Sequence, residues 1–418
     1  MELFVKQFEE LTAGELFEIL KLRVSVFVVE QKCAYQEIDD ADRAAYHVWL
    51  SEEGKIRAYL RVLPAGTVFP EVSIGRVIAV ERRKGLGSRI LREGIRVAED
   101  TLHADKIVLE AQVYARGLYE KAGFQAVPET FLEDGIPHIK MERAAKPWKL
   151  PVLVTLNAGY LRQLKVMLAS LLRSNPMAEV TLYILHSSLT DEEIDGVQKG
   201  LREQDRVVSV RADGLDLSRA PITDRYPKEM YYRIFAAKCL PEELSRVIYL
   251  DPDIVVNGSL RELAELPMGT NLFAAATHVR KMMYMLNALR LDMDEDGVYI
   301  NSGVMILNLE LLRKEQDEEA VYRYIEEHKN VLVLPDQDVI SGLYGSRILE
   351  LDPYRYNMTE RLFLLRPQKE AWRNLDWVRE HSVVIHYCGR NKPWKPGYVG
   401  ELDVFYNETV SQMEKDLP

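Results

Sequence analysis

Val247-Ile-Tyr-Leu-Asp-Pro-Asp253 sets four apolar or aromatic residues directly before two carboxylates. A short unbroken apolar run that meets a turn-forming proline reads as a strand buried on both faces. In open α/β sheets, ligands gather at the carboxyl ends of such strands. Asp251 and Asp253 stand at i and i+2 around Pro252, so both carboxylates can face one cation. Oxygen ligands suit Mg²⁺ or Mn²⁺, and either ion binds a diphosphate. An Asx-type turn that merely caps the strand uses the same residues, and the pair alone does not separate the two readings. His386 does. It ends a second apolar run, Val383-Val-Ile-His386, and is followed by Gly389 and Lys392. An imidazole beside two carboxylates favours Mn²⁺, which accepts nitrogen more readily than Mg²⁺. Gly389 permits close backbone approach, and Lys392 is a point charge suited to phosphate.

Working outward from this stretch, residues 152–155, 180–185 and 207–210 read as strands, and residues 161–172 and 191–201 as the helices between them. That alternation predicts a parallel sheet with helices on both faces. Upstream, Arg143-Ala-Ala-Lys-Pro-Trp-Lys-Leu-Pro151 carries Pro147 and Pro151, which oppose a continuing helix. A boundary there divides the chain into residues 1–146 and 150–418, each long enough to bury its own core.

In the first part, residues 72–80 and 106–114 read as strands. Between them, Leu86, Ile90, Leu91, Ile95, Ala98 and Leu102 form an apolar stripe at helical spacing. Arg82-Arg83-Lys84-Gly85-Leu86-Gly87 lies where that strand meets that helix. Glycines let backbone N–H groups approach a ligand closely, and a helix N-terminus favours an anion. Three adjacent cations add to the case. A strand-to-helix turn with solvated arginines has the same composition, so the loop alone leaves both readings open.

Composition narrows the function classes. The 418 residues are 47% hydrophobic and 28% charged, as in a folded globular protein. The net charge of −11 offers no global field for nucleic acid or an anionic membrane, so any bound phosphate must be met by a local site. The first residues lack a signal-peptide pattern, and residues 297–309, uncharged throughout, are too short to span a bilayer. Cys33, Cys239 and Cys388 are odd in number and far apart, which argues for a reducing, cytoplasmic setting over a disulfide framework.

Two resemblances follow from these motifs. R-x-x-G-x-G after a strand, then Leu118-Tyr-Glu-Lys-Ala-Gly-Phe124, resembles the GNAT-type N-acetyltransferases. Arg23-Val-Ser-Val-Phe-Val-Val-Glu-Gln31 and Phe131-Leu-Glu-Asp-Gly-Ile-Pro-His138 are similar to one bacterial subfamily of them. The resemblance implies a mixed sheet with helices and a site for acetyl-CoA. Arg82, Arg83, Gly85 and Gly87 would hold the coenzyme, and Tyr119 would reprotonate the departing thiolate for a small-molecule amine acceptor. Tyr119 as a packing aromatic is the alternative.

The remainder, about residues 150–405, resembles glycosyltransferase family 8, retaining enzymes with a Rossmann-like GT-A fold. The matching stretches are Tyr231-Tyr-Arg-Ile, Leu240-Pro-Glu-Glu-Leu, Tyr249-Leu-Asp-Pro-Asp, Tyr299-Ile-Asn-Ser-Gly, Leu334-Pro-Asp-Gln-Asp338 and His386-Tyr-Cys-Gly-Arg-Asn-Lys-Pro-Trp394. The resemblance implies a UDP-hexose donor, a glycan or glycolipid acceptor, and Mn²⁺ (or Mg²⁺) held by Asp251, Asp253 and His386. Gly389 and Lys392 would hold the diphosphate. Arg233, Asn301, Asp336 and Gln337 would surround the sugar, with Gln337 on the nucleophile's face. Asn157 would read the base. Departures are Gly159, which supplies no side chain for the base, and Thr277 and His278, where relatives often place an aspartate. Residues 395–418 hold two lysines against five acidic residues, so the basic membrane-docking tail of some relatives is missing. A first part that only binds coenzyme A or a partner, and a sugar-nucleotide-binding protein without turnover, are the competing readings.

Overall fold

Contact density divides the chain into two units, Met1–Pro147 and Trp148–Pro418. The computed structural model describes every residue except 33–34, 223–226, 278–280, 366–373 and 416–418, so Cys33 and His278 lie outside the described residues.

The first unit is built on seven strands: β1 (Glu2–Gln7), β2 (Tyr46–Glu52), β3 (Lys55–Leu63), β4 (Val72–Ala79), β5 (Lys106–Gln112), β6 (Gln125–Glu133) and β7 (Ile136–Ala144). They lie in the order β1-β2-β3-β4-β5-β7-β6. Neighbours run antiparallel except β4 and β5, which are parallel and pair only at Val72–Ile107 and Ser73–Val108. Beyond Ser73 the two strands part. Helix α1 (Ala13–Arg23) opens with a capping box in which Thr12 and Glu15 exchange bonds. It packs Ile19 near Trp49, Tyr59 and Ile78 on one sheet face. Helix α2 (Leu86–Arg96) covers the other face. Its Leu86, Ile90, Leu91 and Ile95 meet Leu60, Ile74, Ile107 and Leu109, the stripe expected from the spacing. Gly94 lets the helix sit this close, since a Cβ there would lie 2.7 Å from the Leu60 side chain. A short helix α3 (Arg116–Lys121) follows β5, which ends at Gln112 rather than at residue 114.

The second unit's strands are β8 (Trp148–Thr155), β9 (Ala178–His186), β10 (Arg206–Arg211), β11 (Val247–Leu250), β12 (Ile254–Val256), β13 (Phe273–Ala276), β14 (Val304–Leu307), β15 (Ile348–Leu351) and β16 (Val384–His386). The main sheet runs β10-β9-β8-β11-β14-β13-β15. Helix α4 (Leu161–Ser174) presents Leu164, Met167, Leu168 and Leu171 to Val152, Val154, Val180 and Ile184. The opposite face is buried by Leu153, Tyr231, Phe235, Tyr249, Phe273 and Met305. Coverage on both faces is why these strands are unbroken apolar runs. Helix α5 (Asp191–Gln198) starts on a Thr190–Glu193 capping box.

The sheet is mixed rather than parallel throughout. β10, β9, β8 and β11 are parallel, but β14 runs antiparallel to both β11 and β13. An antiparallel strand needs no crossover helix, and β14 follows the loop 299–303 directly. Pro151 sits inside β8, just before pairing with β11 begins at Val152, so its missing N–H costs no bond on that side. Among the described residues no helix is long and apolar enough to cross a membrane, and Cys239 and Cys388 form no disulfide.

Candidate functional site

Chain direction assembles the second unit's site. β11 ends at Leu250, so Asp251 and Asp253 emerge together from the carboxyl edge. Because β14 is antiparallel, Val304 lies opposite Leu250, and the Asp251 N–H donates to the Gly303 carbonyl at 2.8 Å. That brings Asn301, Ser302 and Gly303 to the same edge. β12 and β16 pair with His386 opposite Ile254, which returns the imidazole to Asp253 across some 130 residues of sequence.

One ligand atom from each of Asp251, Asp253 and His386 lies within 4.8 Å of the others. His386 Nε2 stands 3.3 Å from Asp253 Oδ1 and 3.7 Å from Asp251 Oδ2. His386 Nδ1 meets Asn357 Oδ1 at 2.9 Å, and the Asn357 amide donates to Asn301 Oδ1 at 3.0 Å. This chain makes Nδ1 the donor and leaves the Nε2 lone pair facing the carboxylates. Asp253 Oδ1 and His386 Nε2 are buried without a hydrogen-bond partner. Acceptor atoms facing one another in a buried site are costly unless a cation lies between them. The donor set therefore fits a divalent ion that accepts both oxygen and nitrogen. Gly303 keeps the space open, since a Cβ there would fall on the His386 ring and the Asp251 carboxylate.

Lys392 is buried, pairs with Asp253 Oδ2 and donates to the Tyr387 carbonyl at 2.7 Å. Burial works against its charge, but Asp253 outweighs it and raises the ammonium's pKa. Arg233 is a buried clamp. It binds Asp251 Oδ1 and Asp336 Oδ2, each at 3.0 Å, and lies 4.3 Å over the Tyr249 ring. The Tyr249 hydroxyl donates to Asp251 Oδ1 at 2.6 Å, and Ser302 Oγ to Asp336 Oδ2 at 2.7 Å. Burial pushes the Asp336 carboxyl above its ordinary range against the pull of Arg233 and Ser302.

Asp336 and Gln337 occupy the first turn of the helix Pro335–Tyr344, whose proline sits where no N–H is needed. Asp338 fastens that turn. It accepts from the Val333 and Leu334 N–H groups, pairs with Arg290 at 2.7 Å and takes the Tyr299 hydroxyl at 2.8 Å. Asn157 Oδ1 caps the next turn by accepting from the Gly159 N–H. Neighbouring Tyr160 feels the charges of Lys392, Asp253 and Asp251, which puts this loop beside the cluster. Gly389 has a left-handed φ of 81° and open space around it.

The spacing-based reading missed Tyr249, Ser302, Gly303, Asn357 and Asp338 as members of this network. The first three and Asp338 lie inside the stretches quoted above. Asn357 had no signal, because nothing in its local sequence ties it to His386.

In the first unit Gly85 caps α2 with φ 79°, and Gly87 packs on Leu118, which an added Cβ would meet at 3.5 Å. The first N–H groups of α2 have no acceptor within the helix. Arg82 and Arg83 are exposed; Arg82 pairs with Glu30, and Lys84 with Glu81. Tyr119 is buried in the core and meets Phe124 edge-on at 6.1 Å, and burial raises its hydroxyl's pKa well above the ordinary value.

Residues 151–396 match Glycosyl transferase family 8, and residues 17–145 match the Acetyltransferase (GNAT) domain. Over 274 residues the chain is 28% identical to lipopolysaccharide 1,2-glucosyltransferase of Escherichia coli, covering 62% of this chain and 80% of the relative. Over 138 residues it is 36% identical to protein ElaA of Escherichia coli, covering 32% of this chain and 90% of the relative. The solved galactosyltransferase LgtC, bound to donor and acceptor sugar analogues, aligns with a TM-score of 0.55 at 20% identity. That alignment covers 62% of this chain and 95% of that one. This fold likeness is to a GT-A enzyme. The chain therefore belongs to glycosyltransferase family 8 and carries, ahead of that transferase domain, a GNAT acetyltransferase domain.

Proposed function

We propose that the chain is bifunctional. The second unit would transfer a hexose, with retention, from a UDP-sugar to a glycan or glycolipid acceptor. The first would acetylate a small amine from acetyl-CoA. The observation that carries the first half is the convergence of Asp251, Asp253 and His386 with two buried ligand atoms left unpartnered. These three residues would hold Mn²⁺ (or Mg²⁺), which would neutralise charge building on a departing diphosphate. Lys392, one ion pair away from Asp253, would add its charge to that diphosphate together with the open backbone at Gly389. Asp336 and Gln337, fixed by the anchored helix turn, would line the sugar. Gln337 is a poor nucleophile, so same-face attack is favoured, the departing phosphate taking the acceptor's proton. Asn157 retains its amide NH₂ for a base edge. The lipopolysaccharide glucosyltransferase relative supports a saccharide acceptor.

Hydrolysis of UDP-glucose and UDP-galactose tests this reading. Chelation should abolish it, and Mn²⁺ should restore it better than Mg²⁺. Full activity in excess chelator would remove the metal from the proposal. For the first unit, coenzyme A should raise its melting temperature by mass action, about 2.7 kcal/mol at a hundredfold excess over Kd. Gly87→Glu should erase that shift, because a carboxylate at the loop would repel the pyrophosphate. A second reading, coenzyme A binding without turnover, is favoured by the packing of Tyr119 into the core.

A further inference from the structure

Two cations stand inside the carboxylate cluster of the second unit, and they are held differently. Arg233 joins three segments: it meets Asp251 Oδ1, Asp336 Oδ2 and the Ser302 carbonyl, and it lies over the Tyr249 ring. A buried guanidinium with that many fixed partners has nowhere else to go. Lys392 is buried as well, but its anchorage is thin. Among the described residues its ammonium meets Asp253 Oδ2, the Tyr387 carbonyl at 2.7 Å and the Trp394 ring at 5.4 Å. Its charge rides on a flexible four-carbon stem. The loop beneath is fastened: the Val399 N–H donates to Asn391 Oδ1 at 3.0 Å, and the Asn391 amide donates to the Val399 carbonyl at 2.7 Å. A change of partner therefore falls to the Lys392 side chain.

Lys392 does not occupy the oxygen that faces His386. It sits on Oδ2, behind the unpartnered Oδ1. What it supplies is counter-charge, without which a buried carboxylate is costly. The same charge opposes a divalent ion drawn to Oδ1, because like charges a few ångströms apart repel strongly where water is excluded. A lysine that balances Asp253 thus weakens its attraction for a second cation. A diphosphate reverses this, since it offers the ammonium a multiply charged partner and leaves Asp253 to be balanced by the ion.

We propose that Lys392 is an exchange cation. It neutralises Asp253 in the resting enzyme and passes to the donor's diphosphate, so the metal site gains full affinity only when the sugar nucleotide is present. The proposal rests on the reading of the second unit as a metal-dependent sugar-nucleotide enzyme. It gives Lys392 a duty besides holding phosphate, and the two duties predict different results for Mn²⁺ alone. Removing a lysine that only holds phosphate leaves metal affinity unchanged. Removing one that also balances Asp253 strengthens it.

The test uses the full chain, with Mn²⁺ binding followed by water-proton relaxation and UDP binding by calorimetry. In the native chain saturating UDP should raise Mn²⁺ affinity by about 5–150-fold, the range of ordinary coupling free energies, and Mn²⁺ should raise UDP affinity by the same factor. Direct ligation of the ion by the diphosphate gives such coupling without any exchange, so the deciding measurement is Mn²⁺ alone in charge-removing variants. Lys392→Gln keeps a donor for the Tyr387 carbonyl, and Lys392→Met keeps an apolar stem. Both should bind Mn²⁺ alone about tenfold more tightly than the native chain, one like charge having gone, and should bind UDP alone more weakly. Lys392→Arg retains the charge and should stay at the native Mn²⁺ level. A native melting profile certifies each fold. Unchanged or weaker Mn²⁺ binding in the neutral variants would overturn the exchange and leave the metal reading standing, as would native Mn²⁺ affinity that ignores UDP. A native chain that binds no Mn²⁺ at any UDP concentration would sink the underlying reading and the exchange with it.

Discussion

The two units place their buried carboxylates under opposite regimes. In the first, Asp42 is enclosed by Arg23 at 2.6 Å and Arg61 at 2.7 Å, and Glu37 by Arg23 and Arg76. In the second, Asp253 shares one oxygen with Lys392 and points the other, unpartnered, at His386. Asp42 Oδ2 and Glu37 Oε2 are also buried without a hydrogen-bond partner, but two guanidinium groups balance each charge, and that arrangement stabilises a fold. Asp253 Oδ1 instead faces another unpartnered ligand atom, His386 Nε2, and is poised for a cation. The candidate coenzyme site of the first unit uses neither arrangement; it rests on the backbone of a glycine loop at the start of α2.

This contrast is broken most directly at Asp253. Asp253→Asn should lower UDP-sugar turnover by at least about 10³-fold, since it removes both a metal ligand and the charge that orders Lys392. Coenzyme A binding should be untouched, because the partners of Asp253 all lie within the second unit. A parallel loss of coenzyme A affinity would show the two sites to be energetically coupled.

Gly303→Ala comes next. Its Cβ would collide with the His386 ring and the Asp251 carboxylate, neither of which can retreat from its hydrogen bonds. Turnover should fall by about 10²-fold, and overpacking should cost about 1–3 kcal/mol, read by calorimetry. Wild-type Mn²⁺ affinity in this variant would mean that the glycine does not shape the site.

Asn357→Ala removes the amide that orients His386 and also holds Asn301. Metal affinity should weaken by about 10–100-fold, the range for partners behind a first ligand. Titration with Mn²⁺ followed by water-proton relaxation gives the constant directly, and an unchanged value would free His386 Nδ1 from any orienting role.

Much of the second unit's site was legible because its chemistry is carried by side chains at strand ends, and a strand end is visible as an apolar run meeting a carboxylate. Asp251, Asp253, His386 and Lys392 were found on that ground, and the structure draws them together. Asn357 was invisible because it joins the site through β16 and a bridge at Met358, a tertiary event without a local pattern. The antiparallel entry of β14 left no signal for a related reason. Alternation of strand and helix announces a crossover, but the loop 299–303 has no periodicity to say that the strand enters from the opposite end. In the first unit α2 was plain from its stripe, whereas the parting of β4 and β5 beyond Ser73 was not, since two strands that part have the same composition as two that pair.

The smallest effect on turnover is expected from Asp42→Asn, and it tests the arginine-paired half of the comparison. Burial alone would raise the Asp42 carboxyl, but hydrogen bonds and charges from Arg23 and Arg61 outweigh it and hold it below the ordinary range. A carboxylate depressed in the folded state contributes stability that is present above its unfolded value, near 3.9, and is lost as pH falls through that value toward the folded one. At neutral pH the variant should melt several degrees lower in the first-unit transition, because two buried guanidinium groups lose their counter-charge. As pH is lowered toward 4 and below, the native chain sheds the same contribution, so the gap between native and variant melting should narrow. Sugar-nucleotide turnover should stay at the native level throughout. A gap that widened on acidification would mean that Asp42 is not held as a carboxylate by its arginines.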